Sequence, residues 1–157
     1  SGSPYDEVMD YCKKTYNDVK KGRIPLTDII KRGRVRQALS SYKSVSSGIA
    51  GVCYYNQHIN ADDPITDSFL YMECRYIDGP QWFMMPNGSK DRLAKFVSVK
   101  EMKEFEGLCL PNWDAYAFKS VVKKAKPIFN AMGWNVKDFM MDENQRNLSD
   151  WLGSEEE

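Results

Sequence analysis

The chain has 157 residues, 42% apolar and 13% aromatic, enough for one compact domain with its own core. Its 22 Lys and Arg balance its 22 Asp and Glu, so no overall field draws it to nucleic acid, and any such site must be local. No apolar run approaches the roughly 18–20 residues needed to cross a bilayer, which excludes a helical membrane protein. The four cysteines (Cys12, Cys53, Cys74 and Cys109) have no C-x-x-C spacing and are joined by one histidine, His58. They read as buried, reduced thiols of a cytoplasmic protein, neither a zinc cage nor a disulfide framework. The opening residues carry neither a basic n-region nor an apolar h-region.

In chain order, Ser3-Pro4 followed by Asp6 and Glu7 predicts a capped helix start, with proline in the first turn and acids at the positive end of the dipole. Tyr5, Val8, Met9, Cys12, Tyr16 and Val19 recur at helical steps and Gly22 supplies a stop, so the first helix covers roughly 4 to 21. Between Ile29 and Tyr42 the spacing of Val35, Leu39 and Tyr42 predicts a short basic helix. The small-residue stretch from Gly48 to Ile59 predicts a buried helix. Ser68 to Ile77 and Gln81 to Met85, joined by Asp78-Gly79-Pro80, read as a β-hairpin whose second strand ends at Pro86-Asn87-Gly88.

Ser98 with Glu101 forms a candidate capping box for a short helix to Phe105, closed by Gly107. Asn112 caps a helix with the stripe Trp113, Ala117, Val121, Val122, Ile128 and Phe129, which Pro127 should kink or break and Gly133 should end. Beyond Met141 the sequence is mostly polar and acidic. The expected architecture is therefore α+β, helices around a small antiparallel hairpin or sheet, with one domain over 1–141 and a flexible acidic tail over 142–157.

Charge is unevenly distributed along this plan. From Lys20 to Lys43 the cations Lys20, Lys21, Arg23, Lys31, Arg32, Arg34, Arg36 and Lys43 face a single acid, Asp28. Lys119, Lys123, Lys124 and Lys126 form a second basic run, whereas Asp62, Asp63, Asp67, Glu73 and Asp78 make the middle acidic. Either basic run could neutralise phosphates, or simply be a solvated face.

Candidates for catalysis are sparse. His58 lies in an apolar segment and reads as a structural histidine. Thr66-Asp67-Ser68 resembles part of a polymerase metal turn but follows Ile65 rather than an aspartate, and Asp62-Asp63 lacks a partner carboxylate for two-metal chemistry. No glycine-rich phosphate loop is present. We therefore expect no catalytic residue, metal or cofactor in this chain. The tail pattern Gln145, Leu148, Trp151 and Leu152 places Leu148 and the Trp151-Leu152 pair on one side of a helical turn, a plug that a groove could bury. It resembles the clamp-interacting peptide that many replication proteins carry at a terminus.

The run N-W-D-A-Y-A-F-K-S-V-V-K-K-A-K-P-I-F-N-A-M-G-W, residues 112–134, resembles the last thumb helix of family B DNA polymerases. Upstream, G-R-I-P-L-T-D-I-I-K-R-G-R-V-R-Q-A-L-S-S-Y-K resembles that family's passage from a strand, through a phosphate-contacting turn carrying Lys31 and Arg32, to a short helix. G-I-A-G-V-C-Y-Y-N is similar to the helix that follows, and the P-N-G hairpin to thumbs of T-even-like phage polymerases. Order and spacing agree over about 130 residues.

The resemblance implies that Lys31, Arg32, Arg34, Lys119 and Lys123 hold primer-template phosphates without reading sequence. It also implies that Gln145, Leu148, Trp151 and Leu152 bind a sliding clamp, and that the remaining partner is the palm, fingers and exonuclease portion. Motifs of that portion are missing from the 157 residues, and Mg would belong to the absent palm. The chain would then be an expressed fragment or the C-terminal subunit of a polymerase encoded in two pieces, acting in the cytoplasm of a bacterial host. The alternative is a stand-alone single-stranded nucleic-acid-binding or replication adaptor protein using Trp82 and Phe83 as stacking platforms. A small metal-dependent nuclease using Asp67 is the third class.

Overall fold

The computed structural model describes residues 2–93 and 95–141, so the tail calls Gln145, Leu148, Trp151 and Leu152 lie outside the described residues. The fold is mixed α+β with small antiparallel sheets. The span 1–141, expected as one domain, divides into two compact units: one from the residues up to Ile24 and those from Trp113 onward, the other from Pro25–Asn112. Among the described residues no helix is long and apolar enough to cross a membrane.

The first unit is helical. In α1 (Pro4–Lys20) the Ser3 hydroxyl accepts the Asp6 N–H at 3.1 Å, while Asp6 and Glu7 sit at the positive end of the dipole. Gly22 then reverses the chain at φ 68°. The other elements of this unit are α3 (Trp113–Ala117), a π turn (Phe118–Val122), α4 (Lys123–Met132) and α5 (Lys137–Met140). Tyr16 and Val19 pack with Ala117, Val121, Val122, Phe129 and Phe139 in one core. Phe129 meets Phe139 and Trp134 edge-on, at centroid separations of 5.4 and 5.5 Å.

Pro127 lies within α4 and does not break it: the helix continues to Met132. A proline in a helix interior costs about 3 kcal/mol. Burial of Val122 before it and Phe129 after it, each worth about 1.5–3 kcal/mol, offsets that cost. Gly133 ends the helix in the left-handed region, and the Trp134 N–H closes back on the Phe129 carbonyl at 2.8 Å.

The second unit is a sheet covered by a helix. The long strand β2 (Ser68–Ile77) pairs with β1 (Lys31–Arg34) and, over Leu70 to Glu73, with β5 (Phe96–Val99). Its later half pairs with β6 (Cys109–Pro111) across a register shift between Cys74 and Tyr76. Helix α2 (Ser47–Tyr54) lies on β5 because two of its residues are glycine. A Cβ at Gly51 would stand 3.0 Å from both the Phe96 carbonyl oxygen and the Ser98 nitrogen, and the buried Ser98 hydroxyl donates to the Gly48 carbonyl at 2.7 Å.

Three expected elements are replaced. The basic helix between Ile29 and Tyr42 is instead strand β1, followed by a single 3-10 turn at Leu39–Ser41; four residue pairs with β2 outweigh the weak helical spacing. Ser68–Ile77 forms no hairpin with the next strand, because its edges are taken by β1, β5 and β6. Instead β3 (Trp82–Met84) pairs with β4 (Lys90–Arg92), and Pro86-Asn87-Gly88 lies in the turn between them. The capping box is formed by Glu101 and Glu104 around the 3-10 turn Met102–Phe105, since Ser98 is buried within β5.

Candidate nucleic-acid interface

The five cations expected at phosphates fall into two sets, one in each unit. In the sheet unit, Lys31, Arg32 and Arg34 are all exposed on β1. The resemblance implied a turn for Lys31 and Arg32, but both belong to the strand, opposite Tyr71 and Leu70. Successive strand residues point to opposite faces. Arg32 and Arg34 therefore share one face, and Lys31 lies on the other with Gly33, over which the Phe69 ring packs. The Arg34 guanidinium reaches the Asp67 carboxylate at 3.2 Å, both side chains exposed. Because β1 is the sheet's edge, its cations also prevent another strand from adding there.

In the helical unit, Lys119 occupies the π turn and Lys123 begins α4. The wide turn lets the adjacent Val121 and Val122 both enter the core while Phe118, Lys119 and Ser120 face solvent. Lys123, Lys124 and Lys126 are exposed as well. The Lys119 ammonium lies 6.0 Å from the Tyr116 ring centroid, and the Ser120 hydroxyl donates to the Tyr116 carbonyl at 2.6 Å. The turn thus presents a cation row with an exposed aromatic side chain, Phe118, at its start. π turns occur often at functional positions.

The other candidates have structural partners. Asp63 is ion-paired with Lys100 at 2.5 Å and Asp67 with Arg34. Among the described residues, no group of three or more His, Cys, Asp or Glu is arranged to hold a metal. His58 is not enclosed in an apolar interior. It stands exposed on the π turn Tyr55–Ile59, with Nε2 2.9 Å from the Trp82 carbonyl oxygen.

Trp82 is 50% exposed, but Phe83 is only 3% exposed and belongs to the core. The pair therefore does not form a double stacking platform. Cys74 and Cys109 are free thiols whose sulfurs lie 3.0 Å apart. The hydrogen bond with Cys109, together with burial, pushes the Cys74 thiol far up. A buried, protonated thiol is a poor nucleophile.

Lys90 and Arg92 are further exposed cations, on β4. The alternation Lys90-Asp91-Arg92 immediately after Pro-Asn-Gly was the available signal. It acquires meaning only once β4 is paired with β3. Compared with known proteins, the chain matches no family model and no curated sequence.

Proposed function

We propose that this chain is the DNA-gripping thumb part of a DNA-directed DNA polymerase, holding primer-template duplex by its phosphates and tethered to a sliding clamp. The observation that carries this reading is the solvent-facing row Lys119, Lys123, Lys124 and Lys126, set out by the π turn before α4. Lys31, Arg32 and Arg34 supply the second set of charges. The motif resemblance over residues 112–134 supports it from the sequence side. None of these contacts reads a base edge, so binding is indifferent to sequence. The clamp peptide, through Gln145, Leu148, Trp151 and Leu152, turns rebinding into an intramolecular event.

The test is fluorescence anisotropy of labelled primer-template over a range of salt, comparing the natural chain with Lys119→Ala plus Lys123→Ala. If about four phosphates are neutralised, log affinity falls with log salt at a slope of about −3.6, and the double variant lowers the steepness by about 1.8. A flat salt response, or a double variant that binds as the natural chain does, overturns the proposal. For the tether, a peptide spanning 142–157 should bind a purified clamp, and Leu148→Ala plus Trp151→Ala should abolish binding.

A further inference from the structure

We propose that the outward face of the β3–β4 hairpin is a binding site for single-stranded DNA, separate in its residues from the cations assigned to the duplex. Residues directly opposite in an antiparallel pair share a face. The register places Trp82 against Arg92 and Met84 against Lys90. These four side chains form one outward patch of two large apolar groups and two cations, with no acid among them. The alternate residues of the hairpin, Phe83 and Asp91, pair on the opposite face, where Phe83 is buried and anchors the hairpin.

The patch has the chemistry that complements an unpaired nucleotide. Trp82 is 50% exposed and Met84 47% exposed, so an indole surface is open to a base, and every base has a face to stack on it. The Lys90 ammonium lies over the Trp82 ring, 5.8 Å from its centroid, so a base stacking on that face would move the flexible Lys90 head aside toward the neighbouring phosphate. Neither Lys90 nor Arg92 is held in an ion pair among the described residues. Both are available for the flanking phosphates.

A groove of about 350 Å³ runs along this hairpin, bounded by Pro80, Trp82, Met84, Lys90, Gln57 and His58. The strand beneath the platform is also held: Gln57 pairs with the Met84 backbone and His58 with the Trp82 carbonyl, so the main chain that carries Trp82 needs little ordering on binding.

Duplex DNA fits this face poorly, because its bases are already stacked on one another. The four outward side chains include no strong acceptor for the proton of a ribose 2′-hydroxyl, and the donors that could reach its oxygen, Lys90 and Arg92, are those assigned to the phosphates, so the face gives RNA no added contact over DNA.

The test titrates a labelled ten-residue oligothymidylate against the natural chain, Trp82→Ala, Trp82→Phe, and Lys90→Ala plus Arg92→Ala. Trp82→Ala should weaken binding roughly tenfold and Trp82→Phe should restore most of it, since the site requires a ring. The double cation variant should reduce the salt slope by about 1.4. Lys119→Ala plus Lys123→Ala should weaken duplex binding and leave the roughly tenfold effect of Trp82→Ala on oligothymidylate unchanged, which separates this site from the duplex reading.

Three outcomes overturn the proposal: Trp82→Ala binding as tightly as the natural chain, an abasic oligomer of equal charge binding as well as oligothymidylate, or oligouridylate binding more tightly than either. Trp82 is on the surface, and the Phe variant guards against a loss caused by misfolding.

Discussion

The side-chain amide of Gln57 pairs with both main-chain groups of Met84, Nε2 donating to the carbonyl and Oε1 accepting the N–H, each at 2.8 Å. The amide thus does for β3 what a neighbouring strand would do. Gln57→Ala should leave both groups to water. We expect the Met84 amide to exchange its hydrogen about tenfold faster or more, with little change in the global melting temperature. Exchange read by NMR checks this, and unchanged protection would mean the hairpin is held by Phe83 alone.

Tyr55 is buried, its hydroxyl donating to the Glu104 carboxylate. Burial and that hydrogen bond push its phenol up to about 12. The fold therefore favours the neutral phenol. This contribution is fully present below the unfolded value near 10 and is lost as pH rises through about 12. Tyr55→Phe should cost about 1.5–3 kcal/mol near pH 8, because a hydrogen bond to a charged acceptor disappears. The gap between the two proteins should close between pH 10 and 12. Urea unfolding at a series of pH values measures it, and a constant gap would contradict the assigned shift.

Gly51→Ala sets two effects against each other. Alanine in a helix gains about 1 kcal/mol over glycine. The added methyl, however, would stand 3.0 Å from the Phe96 carbonyl oxygen and the Ser98 nitrogen, main-chain atoms of a paired strand that cannot turn aside. Overpacking of this kind costs about 1–3 kcal/mol, so the variant should be less stable on balance. A lower urea midpoint with unchanged slope is the expected result.

Arg34 is paired with Asp67 across an exposed contact of 3.2 Å, and such a pair is worth about 0.2–1 kcal/mol. If Arg34 serves duplex DNA, Asp67→Asn should free it and tighten binding by at most about fivefold at low salt. Anisotropy titration checks the sign. Weaker or unchanged binding would remove Arg34 from the interface.

Where signals are local, the sequence was a good guide. Ser3 and Pro4 set the start of α1, and Gly133 marks the end of α4, because each acts on its own turn of backbone. The basic strand was mistaken for a helix because Val35, Leu39 and Tyr42 repeat at helical intervals. The partner that makes it a strand, Tyr71 opposite Lys31, lies far along the chain.

The same distance hid the role of Ser98, whose hydroxyl serves Gly48, and misdirected β2, whose edges were filled by strands from elsewhere. Of the candidate site, the run of lysines from 119 to 126 was plain in the sequence. The π turn that orients it was not, since nothing in F-K-S-V-V demands an extra residue per turn.

The helical unit is interrupted in sequence by the whole of Pro25–Asn112, yet its own two halves meet at the interruption. A Cβ at Gly22 would touch the Trp113 indole nitrogen at 2.8 Å. During synthesis α1 emerges long before α3, α4 and α5, and its apolar side has no native partner until the intervening sheet unit has been made. The nearness of Gly22 and Trp113 also means that a short bridge in place of the sheet unit would span the cut. The sheet unit is thus a cassette whose length could change without stretching the chain of the helices on either side of it.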